Sequence, residues 1–535
     1  MFTQPGRPTS PSRAVALELP AWRLHLWLLA TGWFLLNALS QRLLSATAET
    51  DQAAELARSQ FWQWGYGSQP PLYTWLAKLV LNLTGPALWP LLAIKVALLS
   101  GLVACILQIC RQLRFSRAQT WIAVAGLALI PQFAWESQRD LTHSVLATLL
   151  AALTLLQLLR VAAAPSLLNY ALAGALSAGG LLSKYTFAVF LAGLLLAGLS
   201  LPAFRRHLLS ARILLALAVA LVLLAPHLHW VLTQPELAGA GLDKLRANGR
   251  FPISLLQGLG SAALNAIGFL TPLWIVGLLL IARRPQAPVN GGQKLLWRLP
   301  LAIAVVLSLV ILLSGATRIK DRWYQNLLFY APVLLAVLSG PAPPPSRLRG
   351  YLQACGLAAV VVSLALPARI ALAGRLQRTS ALNAPIVELL EQIRGRQGEP
   401  ILVITSDSFV AGNARRVFPE LPVLPARQHQ NLLALLQRRQ GRVLLIASAE
   451  TKPGQGVGGL LEELQAAGLQ GTQAEQFIPV SLPASWAPRE RFVLFVHELS
   501  AAQLVPAGTP RARPGLLPEG SAGPRMGPVP SAPAR

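Results

Sequence analysis

The sequence predicts an α-helical membrane domain of about eleven spans, followed by a small α/β domain and a disordered tail. Apolar runs of roughly 18 to 22 residues recur through the first part of the chain, and each is long enough to cross a bilayer as a helix. The 535 residues are 54% hydrophobic and 13% charged, a composition typical of polytopic membrane proteins. Polar periodicity begins near residue 372, so we place the domains at 1–371, 372–502 and 503–535.

Apolar windows place the spans in order along the membrane domain. A polar stretch with Arg7 and Arg13 precedes a full-length span rather than a short signal region, so we expect the first helix to remain as an anchor. The apolar segment 70–85 is short, and we expect it to lie at the membrane interface or to continue into the second helix. The predicted spans are 22–40, 88–110, 117–134, 141–160, 167–183, 186–202, 210–232, 262–282, 297–315, 324–340 and 351–371.

The loops that collect Lys and Arg predict the orientation of the chain. One alternate set of loops holds most of these cations, and the positive-inside rule places that set in the cytoplasm. Its members are 1–23, 111–117, 205–212, 283–298 and 347–349. The net charge of +25 is therefore expected to meet lipid headgroups rather than nucleic acid. The opposite face would carry Asp51, the loop from Glu136 to Asp140, Lys184 and the loop 317–323.

The region after residue 372 has the pattern of an α/β domain. The segments ILVITS, RVLLIAS and RFVLFVHEL are predicted strands, and 381–395 and 431–440 are predicted amphipathic helices. Strands that alternate with helices favour a mainly parallel sheet. An odd number of spans would place this domain outside the cytoplasm. The residues after 503 are rich in Pro, Gly and Ala, which predicts disorder.

The first polar interruption between apolar helices, residues 49–75, is dense in functional residue types. It holds the carboxylates of Glu49, Asp51 and Glu55, followed by the aromatic side chains of Trp64 and Tyr66. A carboxylate at a membrane surface suits a general base or a cation ligand, and aromatic faces suit a sugar ring. An amphipathic connecting helix with aromatic anchors at the headgroup level is the alternative interpretation.

A second informative stretch is RIKDRWYQN, residues 318–326, where three cations lie on the face that should be poor in them. Arg and Lys at this level suit a phosphate or pyrophosphate group. Side chains that extend to lipid headgroups are the alternative. Lys184 offers a further cation on the same face, and Glu136 and Asp140 are spaced to share one side of a helix.

Several other functional classes lack their sequence signatures. The chain has no P-loop, no HExxH, no GxSxG and no paired CxxC motif, which gives no support to an ATP-driven pump, a zinc protease or a nucleophile-elbow hydrolase. The three cysteines all lie inside apolar segments, so neither disulfides nor a metal site is predicted from them.

Three blocks of sequence resemble the GT-C integral-membrane glycosyltransferases of family 39. This group is related to protein O-mannosyltransferases and to the aminoarabinose and galacturonosyl transferases of lipopolysaccharide. The blocks are DQAAELARSQFWQWGYGSQPPLYTWL from Asp51, GLLSKYTFAVF at 180–190, and RIKDRWYQNLLFYAP from Arg318. They occur in the family's order, cover the membrane region to about residue 340, and are specific in combination.

The resemblance implies an inverting transfer of a sugar from a polyprenyl-phosphate donor to a glycolipid, such as lipopolysaccharide, or to a protein. Asp51 would be the catalytic base, and Asp140 would match the family's second acidic position. The donor phosphate would be held by Lys184, Arg318, Lys320 and Arg322. The substrate cavity would be lined by Glu55, Trp64, Tyr66, Gln69 and Tyr185. The site would face the periplasm from a bacterial inner membrane.

The chain also departs from the family's pattern. Many relatives have Asp-Glu where this chain has Asp51-Gln52, and Asp-His before Pro-Pro where it has Ser68-Gln69. Fewer hard oxygen ligands weaken the case for a metal ion, so we assign no metal ligand and leave a divalent cation possible.

Two other functions remain open at this level. A transporter or flippase for a lipid-linked sugar would also need cations at the interface. It would further need polar or broken helices at mid-membrane depth, whereas these spans are nearly free of mid-helix charge. A noncatalytic protein of envelope assembly is the second alternative.

Overall fold

A helical domain followed by a small sheet domain is found as predicted in the computed structural model of the chain. The structure describes residues 21–243, 253–280, 288–396, 400–438, 441–450, 455–469 and 471–504. The predicted disordered tail lies outside the described residues from 505 onward, as does the polar N-terminal stretch up to residue 20.

The membrane domain contains eighteen described α-helices before the sheet domain begins. Their bounds are α1 Ala21–Leu44, α2 Thr50–Arg58, α3 Leu72–Thr84, α4 Leu88–Gln112, α5 Arg117–Ala125, α6 Ser137–Arg139, α7 His143–Ala163, α8 Leu167–Ser183, α9 Phe187–Leu199, α10 Pro202–Leu208, α11 Ile213–Thr233, α12 Pro235–Asp243, α13 Ile253–Gly277, α14 Gly291–Ser314, α15 Tyr324–Leu328, α16 Ala331–Leu338, α17 Pro345–Ala371 and α18 Ala373–Leu376.

Six helices of the described residues are long and apolar enough to cross a membrane, namely α4, α7, α11, α13, α14 and α17. Helices α9 and α10 meet at an angle of 115° and would make a seventh span if they are counted as one. The prediction of eleven spans stays a prediction. Segment 70–85 forms a separate short helix, α3, rather than a continuation of the next span.

Two predicted spans are broken helices. The predicted span 117–134 becomes α5, a 3₁₀ turn at Gly126–Leu129 and a π-helical turn at Gln132–Glu136. Pro131 lies between the two turns and has no N–H to donate to a preceding carbonyl, which favours a break there. The predicted span 324–340 is divided into α15 and α16, with Pro332 in the first turn of α16.

The loops rich in cations meet at one end of the helical bundle. The Ser116 hydroxyl donates to the Pro341 carbonyl over 2.7 Å, and the Asn290 amide donates to the Leu113 carbonyl over 3.0 Å. These contacts lie at the C-terminal end of α4. The sheet domain packs at the other end of the bundle, beside α2. This arrangement agrees with the division of the loops that the positive-inside rule predicts.

The second domain is a five-stranded mixed sheet with helices. Its helices are α19 Ile386–Arg396, α20 Ser408–Val417, α21 His429–Arg438, α22 Gly456–Ala466 and α23 Ala501–Leu504. Its strands are β1 Leu402–Thr405, β2 Val423–Pro425, β3 Arg442–Ser448, β4 Ile478–Ala484 and β5 Ala487–Ser500, in the spatial order β2-β1-β3-β5-β4.

Two of the four strand pairs are parallel and two are antiparallel, so the expectation of a mainly parallel sheet was half right. Strand β1 pairs in parallel with β2 and β3, whereas β5 is antiparallel to both β3 and β4. The interior strand β1 is buried along its whole length, as expected of a strand covered on both faces. Strand β4 was not predicted because it contains two prolines, which are tolerated at a sheet edge.

The segment around α2, in the membrane domain, contacts the sheet domain. The Gln60 side chain, just after α2, makes two hydrogen bonds to the backbone of Val423 in β2, of 2.6 and 2.9 Å. The Asn413 side chain in α20 accepts from the backbone N–H of Ala48, just before α2, over 2.9 Å. The start of α2 is therefore fixed by contacts with the sheet domain as well as with the membrane helices.

Candidate active site

The two predicted catalytic acids, Asp51 and Asp140, are neighbours in space. Asp51 is the second residue of α2, and its backbone N–H donates to both carboxylate oxygens of Asp140, each over 3.1 Å. The first turn of a helix leaves such N–H groups without intrahelical partners, so the Asp140 carboxylate satisfies one of them. Eighty-nine positions separate the two residues in the sequence.

The two carboxylates differ in their environments. Asp140 is only 7% exposed, and burial raises the pKa of its carboxyl. The negative charges of Asp51 and Glu49 raise this pKa further, while Lys95 and the Asp51 N–H oppose them. The Asp51 side chain is half-buried, and no hydrogen bond or ion pair to its carboxylate is found among the described residues. The site thus favours a proton on Asp140 and leaves the Asp51 carboxylate open to the cavity.

Lys95 lies behind this acid pair and was missed by the sequence analysis. It belongs to the apolar helix α4, is 3% exposed, and its Nζ donates to the Arg139 carbonyl over 3.4 Å. A single Lys inside an otherwise apolar run was the available signal, since a buried ammonium in a span needs nearby negative charge.

A group of ion pairs lies beside the acid pair. Arg369, near the end of α17, pairs with Glu49 over 2.9 Å, and Arg139 lies 3.6 Å from the same carboxylate. Arg139 also pairs with Glu136 over 3.0 Å. The contact between Glu49 and Arg369 spans 320 positions, and no local pattern predicts it.

Cations approach the acid pair from α8 and from the loop after α14. The Lys184 Nζ donates to the Ser144 hydroxyl over 2.6 Å and to the Arg322 carbonyl over 3.3 Å. Burial lowers the pKa of Lys184 to about 7, and the charge of Arg322 contributes, while Asp51 and Asp321 act in the opposite direction. Lys184 and Arg322 are thus joined directly, although 138 positions separate them.

The acid pair lines one cavity of about 620 Å³ together with Arg139 and Arg322, whereas Lys184, Lys95 and Arg369 are not among its lining residues. Asp51, Asp140 and Arg322 all line it, as the sequence analysis expected of the acids and of one member of the basic loop. Arg318 and Lys320 are not among the described lining residues. The cavity is lined by Glu49, Thr50, Asp51, Glu136, Arg139, Asp140, Leu141, Asp321, Arg322, Ser380 and Ala381.

Glu55, predicted to line the substrate cavity, belongs to α2 and is fully buried instead of lining the Asp51 cavity. Its carboxylate accepts from Thr74 over 2.7 Å and from Arg58 over 2.7 Å, and one oxygen lies 2.8 Å from the His143 Nε2. Burial alone would raise the pKa of Glu55. The charge and hydrogen bond of His143 and the charge of Arg58 outweigh burial and lower this pKa to about 2.

The predicted aromatic residues lie away from the Asp51 cavity. Trp64 and Tyr66 line a second cavity beside the sheet domain. The Tyr66 hydroxyl donates to the Phe61 carbonyl over 2.6 Å, and the Tyr66 backbone pairs with Gln69 over 3.0 and 3.3 Å. Tyr185 stacks on His227 with ring centroids 5.9 Å apart.

Metal binding was left open by the sequence analysis. Within the described ranges, no group of three or more His, Cys, Asp or Glu side chains is arranged to hold a metal ion. The Asp140 carboxylate accepts the Asp51 N–H, and the charge of Lys95 acts to lower the pKa of Asp140.

Comparison with known proteins identifies the family. A family described as dolichyl-phosphate-mannose-protein mannosyltransferase matches residues 68–230. The chain is 33% identical over 416 residues to the lipopolysaccharide core galacturonosyltransferase RgtB of Rhizobium johnstonii, a match that covers 75% of this chain and 83% of RgtB. The chain belongs to the GT-C membrane glycosyltransferases of family 39. RgtA of the same organism, also a lipopolysaccharide core galacturonosyltransferase, is 30% identical to this GT-C glycosyltransferase over 409 residues, or 74% of this chain and 81% of RgtA.

The fold of this GT-C glycosyltransferase is also that of a solved structure. The crystal structure of ArnT from Cupriavidus metallidurans bound to undecaprenyl phosphate matches with a TM-score of 0.53 and 14% sequence identity. The match covers 89% of this chain and 97% of ArnT. The long membrane helices and the small sheet domain therefore form one GT-C architecture.

Proposed function

We propose that this glycosyltransferase moves a sugar from a polyprenyl-phosphate donor to a lipopolysaccharide-type glycolipid, with inversion at the anomeric carbon. The reaction would take place at the periplasmic face of a bacterial inner membrane. One observation carries the proposal: the open carboxylate of Asp51 and the cation Arg322 line the same cavity. The names of RgtA and RgtB support a galacturonosyl group as the sugar and the lipopolysaccharide core as the acceptor.

In this mechanism Asp51 is the general base. An acceptor hydroxyl attacks the anomeric carbon from the side opposite the phosphate, and its proton passes to the Asp51 carboxylate as the new C–O bond forms. Asp140 is the less suitable base, because it is buried and accepts the Asp51 N–H. Its role would be to hold the first turn of α2, and with it Asp51, in place.

The bond between the anomeric carbon and the donor phosphate breaks in the same step, and the phosphate oxygen leaves with the electron pair. Lys184 and Arg322 would stabilise the negative charge that develops on this phosphate. The Lys184 ammonium donates to the backbone carbonyl of Arg322, and the positive charge of Arg322 acts on this ammonium. Two cationic groups therefore lie near each other, which supports a shared role. Arg318 and Lys320 belong to the same loop, and we propose that they attract the donor phosphate at longer range.

The substitution Asp51→Asn tests the base. It keeps the shape of the side chain but cannot accept a proton, so transfer should fall by about 10²- to 10⁴-fold. Donor binding should stay near the wild-type value. The measurement is sugar transfer to lipopolysaccharide by purified protein in lipid discs, with donor affinity measured in parallel. Wild-type transfer by the variant would rule out Asp51 as the base, whereas absence of transfer by the wild-type protein would favour a transporter or an assembly protein.

A further inference from the structure

A second cavity, of about 880 Å³, lies between the membrane domain and the sheet domain. Three segments of the chain form its walls: the loop 63–68 after α2, the junction of α11 with α12, and the start of α21. Its principal side chains are Arg58, Trp64, Trp230, Arg427, Gln428 and Asn431. The reaction proposed above uses none of these residues.

The membrane side of this second cavity is aromatic and firmly held. Trp64 is 52% exposed in the cavity and packs edge-on against Trp75, with ring centroids 5.4 Å apart. The Trp64 carbonyl is hydrogen-bonded to His227. Trp230 packs directly on Gly65, where a Cβ atom would overlap the indole ring. Exposed indole faces held in this way suit the C–H faces of sugar rings.

The opposite side of the cavity is built of amides. The Gln63 Nε2 donates to the side-chain oxygen Oδ1 of Asn431 over 3.3 Å, and the Asn431 Nδ2 donates to the side-chain oxygen Oε1 of Gln428 over 3.2 Å. This chain of amides runs from the membrane-side loop to the sheet domain. Side-chain amides both donate and accept, which matches the hydroxyl groups of a saccharide.

The charges of the cavity favour an acidic saccharide. Arg58 and Arg427 line it, and Arg427 is exposed. Glu236 contributes an opposing charge on the α12 side. Arg58 already pairs with Glu55, so Arg427 is the cation best placed to meet a sugar carboxylate.

Helix α2 relates this cavity to the reaction site. Asp51 lies in its first turn and Arg58 is its last residue, so the two cavities lie at opposite ends of one helix. Seven residues at the α-helical rise correspond to about 10 Å. This separation is short enough for one extended oligosaccharide to contact both cavities.

We propose that the second cavity binds the oligosaccharide portion of the acceptor and presents its terminal sugar to Asp51. The assignment of a saccharide rests on the geometry above, and the presentation to Asp51 rests on the proposed function. The sheet domain would then contribute directly to acceptor recognition through Gln428 and Asn431.

The test is the binding of lipid-free lipopolysaccharide core oligosaccharide to the full-length protein in lipid discs. Trp64→Ala should weaken this binding by about tenfold or more, because it removes the exposed indole face. Asn431→Ala provides a second variant that keeps both indole rings but removes the hydrogen bond from Gln63, and it should also raise the acceptor KM. Trp62→Ala is the matched control. Trp62 directly precedes the loop 63–68 and has a similar exposure, 54%, but does not line the cavity.

Failure of this proposal can be distinguished from failure of the proposed function. Asp51→Asn should bind the oligosaccharide as wild type does while it fails to transfer sugar. If the wild-type protein binds the oligosaccharide in a Trp64-dependent way but transfers no sugar, the second cavity is a saccharide site and the proposed function is wrong. Wild-type affinity in both Trp64→Ala and Asn431→Ala would overturn the cavity assignment. Binding of the intact glycolipid without any binding of the lipid-free oligosaccharide would also overturn it.

Discussion

At the scale of single residues, Lys184 is a half-buried cation whose charge depends on pH near neutrality. Burial and the charge of Arg322 lower its pKa to about 7. Below that pH the ammonium form predominates, and above it the neutral amine does. A donor phosphodiester stays negative over this range and binds the ammonium form better. Donor affinity should therefore fall as the pH rises through about 7, with uptake of a proton on binding.

Donor titrations from about pH 6 to about pH 9 check this dependence. Lys184→Met should bind the donor more weakly at the acidic end and show a much smaller pH dependence than wild type. Arg318→Ala is the control, since it leaves Lys184 and its neighbours in place and should keep the wild-type slope. A slope of equal size in Lys184→Met would assign the pH dependence to another group.

Glu55 is the second residue from whose surroundings we derive a prediction, here for the pH dependence of stability. Its pKa of about 2 lies below the ordinary value of 4.5, so its charged form stabilises the fold. That contribution is present above about pH 4.5 and is lost as the pH falls toward about 2. Glu55→Gln should lower stability at neutral pH by about 3–5 kcal/mol, because it removes one partner of a buried ion pair.

Thermal unfolding of the detergent-solubilised protein measures this effect. Glu388→Gln, at an exposed position of α19, is the control and should unfold close to the wild-type temperature. A Glu55→Gln protein with normal stability and weakened acceptor binding would instead support the predicted substrate-lining role of Glu55.

At the scale of elements, the packing of α2 on α20 joins the active site to the sheet domain. Gly412 of α20 packs directly on the backbone of Ala53 in α2, where a Cβ atom would overlap the carbonyl group. Gly412→Ala should therefore destabilise the contact, although Ala favours an isolated helix by about 1 kcal/mol. We expect lower thermal stability together with reduced transfer, because the first turn of α2 carries Asp51.

Gly458→Ala is the matched control for Gly412→Ala. Gly458 lies within α22, and nothing surrounds the position of its missing Cβ. The same substitution there should be neutral or slightly stabilising. Unfolding temperatures and transfer rates of the two variants give the comparison, and equal behaviour would show that α2 and α20 do not need close contact.

The elements themselves were largely predictable where hydrophobic periodicity is strong. Helices α4 and α7 and strands β1 and β3 are apolar along their length, and the sequence pattern located them. The breaks in the predicted spans 117–134 and 324–340 were missed, because tertiary packing decides whether a helix continues past a proline. Strand β2, with three residues, is too short to produce a recognisable alternation.

At the scale of the whole molecule, the predicted meeting of an acid and a cation at one cavity was correct for Asp51 and Arg322. Family motifs and loop charge placed these residues on one face of the membrane. Lys95 and Arg369 were not predictable as partners, because they come from distant segments. Asp140 was predicted as the second acid, but its hydrogen bond to the Asp51 N–H was not. Trp64 and Tyr66 follow Asp51 closely in sequence, yet a helix of nine residues places them at a different cavity.

The contribution of Ser380 and Ala381 to the wall of the Asp51 cavity has a consequence for biosynthesis. These residues follow α17, so the ribosome adds them after every membrane helix has been made. Until then the chamber around Asp51 lacks one side, and the nascent chain cannot enclose a molecule there. Maturation of the chamber is thus coupled to emergence of the segment that leads into the sheet domain, whatever the order in which the helices enter the bilayer.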